Sequence, residues 1–153
     1  MASNTKEPVH EKREECIFCA IAARSIPAEV VYEDENIIAF LDIHPHAPAH
    51  TVVIPKTHAA TLLDLPEKDL QPLFTAVKKI TRALLAAVAA DGMTIGINHG
   101  KAAGQAIPHL HVHLMPRFRG DGGGSLHSVV RNVPQEPLEK LAARVRESLQ
   151  SLS

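Results

Sequence analysis

The sequence predicts an α+β fold, an antiparallel sheet of about five strands with one long helix and a C-terminal helix. Three observations carry this expectation. Residues 109–115, His-Leu-His-Val-His-Leu-Met, alternate strictly, the pattern of a strand with two unlike faces. Leu70, Leu73, Phe74, Val77, Ile80, Leu84 and Val88 recur at three- and four-residue steps, the apolar stripe of a helix. The remaining apolar runs are short and bounded by turn residues, as hairpin strands are.

The elements follow in order. Residues 1–15 are polar and charged and read as a disordered tail, with no apolar core of a signal peptide. Residues 16–153 form the single domain that the length allows. Residues 16–23 read as a short helix that stops near Pro27. A strand over 29–33 and one over 37–43 are joined by the turn Asp34-Glu35-Asn36. Two prolines set a loop over 44–50, and a third strand covers 51–55. The long helix starts with Glu67 and Asp69 in its first turn, favourable for the dipole, and Gly92 is a candidate left-handed cap. A fourth strand spans 93–98, a loop 99–108, and the histidine strand is the fifth. Residues 118–125 are glycine-rich and read as a linker or flap, and the last helix covers roughly 135–152.

Composition narrows the function. Net charge is -1, so no strong field points to nucleic acid or to a membrane surface. Aromatic residues make up 3% with no Trp, which argues against a base-stacking platform. No apolar run reaches the length of a membrane span. The two cysteines, Cys16 and Cys19, are too few for a secreted disulfide framework, and a cytoplasmic protein is expected. Ten histidines are the unusual feature.

In the alternating stretch Leu110, Val112 and Leu114 share one face, and His109, His111 and His113 the other, at steps of roughly 7 Å. A strand-borne imidazole can serve as base, metal ligand or nucleophile, and a nucleophilic nitrogen needs its ring partner held by an acceptor such as a backbone carbonyl. Asn98 and Gln105 add neutral amide donors beside the preceding loop. Gly100 and Gly104 allow the backbone to approach a ligand. Such donors converging on one point suit a phosphoryl or carboxyl group. Cys16 and Cys19, three apart, share a helix face and could grip a metal, serve redox chemistry or lie buried as plain thiols.

Residues 105–115, Gln-Ala-Ile-Pro-His-Leu-His-Val-His-Leu-Met, resemble the signature of the histidine triad (HIT) family. Phe40-Leu41-Asp42-Ile43, followed by residues 47–56, is similar to the family's second hallmark. Cys16-Ile17-Phe18-Cys19 with Ser25-Ile26-Pro27 resembles its bacterial Hint-like branch. The resemblance implies a HIT-like fold whose sheet continues across a homodimer. It also implies a purine nucleotide as substrate and hydrolysis at the α-phosphorus through a nucleotidyl-histidine. It makes His111 the nucleophile and His113 its catalytic partner. Asn98, Gly104, Gln105 and Ala106 would meet the phosphate. Asp42 would hold the ribose, with Ile43 beside it. Ile17, Phe18, Ile26 and Phe40, which the pattern alone reads as core, would line the base slot. His50 matches a position that orients the triad. The resemblance also adds His58 and His109 to Cys16 and Cys19 as ligands of a structural zinc, with no catalytic metal expected.

One departure stands out. The family usually carries Ser or Thr after the glutamine, and here Ala106 stands there. The leading expectation is a phosphoramidase acting on purine nucleoside 5′-phosphoramidates or related adenylated compounds. The alternatives are a dinucleoside polyphosphate hydrolase, a nucleotide-binding or scaffold protein with little turnover, and a metalloenzyme whose His-x-His pair holds catalytic zinc.

Overall fold

The computed structural model describes residues 15–152, so the tail expected over residues 1–15 lies, Glu15 apart, outside them. The elements are α1 (Ile17–Ala22), β1 (Val30–Glu33), β2 (Ile37–Leu41), β3 (Thr51–Pro55), α2 (Glu67–Ala87), β4 (Gly92–Gly96), β5 (Val112–Arg117) and α3 (Leu138–Ser151). The five strands form one sheet in the order β1-β2-β3-β5-β4, with every neighbouring pair antiparallel. The chain divides into two compact units between Asp121 and Gly122, inside the glycine-rich stretch. No helix among the described residues is long and apolar enough to cross a membrane.

Both faces of the central strands are covered, which is why β2 and β3 are near-continuously apolar. On one face Ile37, Ala39, Val53, Leu110, Val112 and Leu114 pack against Leu73, Val77, Ile80 and Leu84 of α2. On the other, Ile38, Phe40, Val52 and Ile54 pack against Cys16, Phe18 and Ile21 at the N-terminal helix. The alternation of the histidine stretch therefore sorts its leucines and valine into the α2 core, as expected.

Several boundaries differ from the sequence reading. The fifth strand begins only at Val112, so His109 and His111 precede the ladder. The His109 amide donates instead to the Ile107 carbonyl (2.8 Å) and that of Leu110 to the Ala59 carbonyl (2.7 Å). Strand β2 stops at Leu41 because the Asp42 carboxylate accepts the His44 amide (2.8 Å) and turns the chain. Gly92 opens β4, and the left-handed residue after α2 is Ala89, with φ 51°. Phe74 sits at the edge of the α2 stripe and is 45% exposed, whereas Leu73 beside it is fully buried. Helix α3 starts at Leu138 because Pro137 disfavours helical backbone at the residue before it.

Candidate active site and metal cluster

His113 lies at the N-terminal end of β5 and His111 immediately before it, on the face opposite Leu110, Val112 and Leu114. Their rings are closer than two strand steps imply, with centroids 4.9 Å apart in an edge-to-face arrangement. His111 is 7% exposed, and its Nδ1 is 2.7 Å from the main-chain carbonyl oxygen of His109. A carbonyl only accepts, so Nδ1 carries the proton and Nε2 keeps a free lone pair. The Phe18 ring meets His111 edge-on, with centroids 5.1 Å apart, and limits where that imidazole can turn.

A chain of hydrogen bonds fixes His113 in the other tautomer. The His46 amide donates to His50 Nδ1 (3.1 Å), so the proton of neutral His50 sits on Nε2. His50 Nε2 then donates to His113 Nδ1 (2.9 Å), which leaves the His113 proton on Nε2. The adjacent histidines thus differ in chemistry: His111 offers a base at Nε2 and His113 a donor. Burial, with smaller contributions from His111 and His50, pushes His113 down to about 4. Burial also lowers His50, opposed by the Asp42 carboxylate, whose Oδ2 lies 3.6 Å from His50 Nε2.

His109 turns to a separate cluster. Its Nε2 donates to the Pro55 carbonyl (2.8 Å), so the lone pair of Nδ1 points to Cys16 and Cys19. Cys16 Sγ is 3.4 Å from His109 Nδ1, Cys19 Sγ is 3.5 Å from it, and His58 Nδ1 is 3.2 Å from both Cys19 Sγ and His109 Nδ1. All four ligand atoms lie within 4.8 Å of one another. A tetrahedral zinc with two sulfur and two nitrogen ligands has ligand-to-ligand edges of roughly 3.3–3.8 Å. The four distances of 3.2–3.5 Å are close to those edges, and the soft, mixed donor set suits zinc better than a hard cation. Cys16, Cys19, His58 and His109 are therefore brought together as a candidate metal site. Asp42, His50 and His113 form a second group whose ligand atoms lie within 4.8 Å of one another, and His111 belongs to neither group.

The loop before the triad is closed by Gln105. The Gly100 amide donates to its Oε1 (2.8 Å), and its Nε2 donates to the carbonyls of Ala60 (2.7 Å) and Ile107 (3.0 Å). The side chain is thus committed to shaping the loop, where a direct phosphate donor was expected. Gly100 (φ 82°) and Gly104 (φ 91°) supply the left-handed turns that bring residues 104–106 around. Asn98 and Ala106 are exposed beside this loop. Phe18 and Phe40 are core residues in edge contact at 5.5 Å, and the partly buried Ile26 packs against their cluster. Ile17 is 47% and Ile43 83% exposed, so these two present apolar surface to whatever approaches. The Pro55, His109 and Ala60 carbonyls and the His46 amide complete the site. Hydrophobic periodicity carries no signal for such main-chain partners.

Residues 23–120 match the HIT domain family. An uncharacterized HIT-like protein from Methanocaldococcus jannaschii is 42% identical over 125 residues, covering 82% of this chain and 96% of its own. A histidine triad nucleotide-binding protein from Candida albicans has a similar structure, with a TM-score of 0.77 at 31% identity over 91% of this chain and 100% of that one. A zinc-bound histidine triad family protein from Mycobacterium smegmatis gives a TM-score of 0.68 at 36% identity, over 92% and 99%. With the family match laid over the sheet and the three histidines, the chain belongs to the histidine triad (HIT) family.

Proposed function

We propose that this protein is a nucleotide hydrolase that cleaves purine nucleoside 5′-phosphoramidates, or related adenylated compounds, at the α-phosphorus. The observation that carries the reading is the tautomer of His111, with Nδ1 bonded to the His109 carbonyl and Nε2 left as a base. In the first step the Nε2 lone pair forms a bond to phosphorus, the P–N bond to the amine breaks, and the amine leaves with a proton from solvent. The His109 carbonyl stabilises the positive charge that develops on the ring. The His113 Nε2–H hydrogen-bonds a phosphoryl oxygen where negative charge grows. In the second step water attacks phosphorus, the P–Nε2 bond breaks, and the nucleoside monophosphate departs.

Asn98 and the main chain of residues 104–106 complete the phosphate contacts, with Gln105 acting by holding that loop. Asp42 keeps acceptor capacity for the ribose hydroxyls, next to exposed Ile43. Ile17, Phe18, Ile26 and Phe40 form the apolar slot for the base. Cys16, Cys19, His58 and His109 hold one structural zinc. The family supports a homodimer, and only two cysteines, spaced as metal ligands, suit a cytoplasmic protein.

The test is release of AMP from adenosine 5′-phosphoramidate, in chelator, by the wild type and by His111→Asn. Turnover by the wild type alone supports the covalent mechanism. Equal turnover by both overturns the nucleophile. One observation favours a second reading, a binding protein with little turnover: Ala106 lacks the hydroxyl that the family places after the glutamine. AMP binding by calorimetry without turnover by either protein would select it.

A further inference from the structure

The metal cluster and the nucleophile share one residue. The His109 ring is fixed at both nitrogens, by the Pro55 carbonyl at Nε2 and by the Cys16, Cys19 and His58 group at Nδ1. Its main-chain carbonyl takes the His111 Nδ1 proton. That carbonyl precedes β5, so the sheet ladder does not hold it in place. Besides the ring, the segment is held by the His109 amide on the Ile107 carbonyl and the Leu110 amide on the Ala59 carbonyl.

A second link runs through α1. Phe18 lies between the two cysteines in sequence. Its ring touches both His109, with centroids 5.9 Å apart, and His111, with centroids 5.1 Å apart. A metal drawing Cys16 and Cys19 together therefore also seats the ring that packs against His111. Without a metal, the four groups keep thiol and imidazole hydrogen bonds at 3.2–3.5 Å, which hold Cys16 and Cys19 together less firmly than coordination does.

We infer that His109 is a positioning residue through which occupancy of the Cys16–Cys19–His58–His109 cluster sets the tautomer and orientation of His111. The metal site is then coupled to the reaction centre rather than serving the fold alone. This rests on the nucleophile and zinc readings above. It makes a claim about the His111 ring that needs no turnover to be seen.

The experiment uses full-length protein labelled with 15N-histidine, with zinc counted by elemental analysis. Long-range 1H–15N correlations report the His111 ring nitrogens, assigned by their loss in His111→Asn. The zinc-loaded protein is expected to show a single Nδ1–H tautomer. Stripping the zinc should shift both ring nitrogens toward a mixture, and adding zinc back should restore them. Unchanged His111 shifts in stripped, folded protein would overturn the coupling while leaving the nucleophile assignment in place. If the stripped protein unfolds, His58→Gln decides, since it weakens metal binding and keeps both cysteines and His109. In a zinc titration of that variant the His111 shifts should track occupancy, and their indifference sinks the inference. Protein that takes up no zinc under any condition overturns the zinc reading and this inference together.

Discussion

At His113 a relay of hydrogen bonds decides which nitrogen faces outward, and it begins at a backbone amide, that of His46. Replacing His50 with Ala frees both His113 tautomers. We expect kcat for the phosphoramidate to fall about tenfold with KM little changed, the effect of losing one hydrogen bond of about 1.4 kcal/mol from the transition state. His50→Gln, whose amide can still donate, should recover part of the rate. Steady-state kinetics on the two variants checks this, and an equal loss in both would remove the relay from the mechanism. The histidines themselves were legible, because strict alternation separates His111 and His113 from the core residues between them. The commitment of Gln105 was not. A glutamine beside a glycine-rich loop reads as a free donor until the Ala60 carbonyl, 45 residues away in sequence, is brought to it. The spacing of the cysteines left a metal, a redox pair and plain buried thiols open, and only the resemblance joined them to His58 and His109.

Among the elements, the loop that Gln105 closes and the sheet it leads into behave differently. Gln105→Ala removes three hydrogen bonds at a half-buried position and should lower stability by about 2 kcal/mol. The urea midpoint would report it, and amide exchange should quicken first within residues 100–107. Stability unchanged within error would mean that the loop is held by something other than this side chain. The body of the long helix was legible, because about six turns of apolar repeat leave little freedom of phase, but it ends at Ala87, short of the Gly92 cap that the sequence suggested. Short strands were less so. Asp42 ends β2 through its own carboxylate, and His109 and His111 stay outside the ladder although their pattern is that of a strand. In both places local hydrogen bonds override the apolar pattern, and both lie in the candidate site. Lys56 and Arg117 pair with Glu33 (2.8 Å) and Asp121 (2.7 Å).

On the scale of the whole molecule, stability should depend on pH through the buried histidines. His113 is held to about 4, against 6.5 for an unperturbed histidine, by burial and by facing His111, His50 and His46, with Asp42 acting in the opposite sense. The unfolded chain therefore binds more protons between these two values, and stability present above about 6.5 is lost as pH falls toward 4. For His113 the loss is at most about 2–3 kcal/mol, because part of its ring meets solvent. Thermal unfolding of the wild type and His113→Asn from pH 7 to pH 4 checks this. The variant should show the shallower decline, and parallel curves would refute the assignment. The order of the sheet has a kinetic consequence as well. Strand β5 lies beside β3, and the site closes through His50–His113, His58–His109 and Cys16–His109 contacts spanning 63, 51 and 93 residues. Closing such loops costs entropy that only late contacts repay, so topology sets the order of assembly. The helix α2 and the β1–β2 hairpin can form from local sequence, whereas the His111–His113 pair, its relay and the Cys/His cluster exist only once the chain has closed on itself. A nascent or partly folded chain thus carries its thiols apart from their histidine partners and has no organised triad, and the site comes into being together with the completed fold.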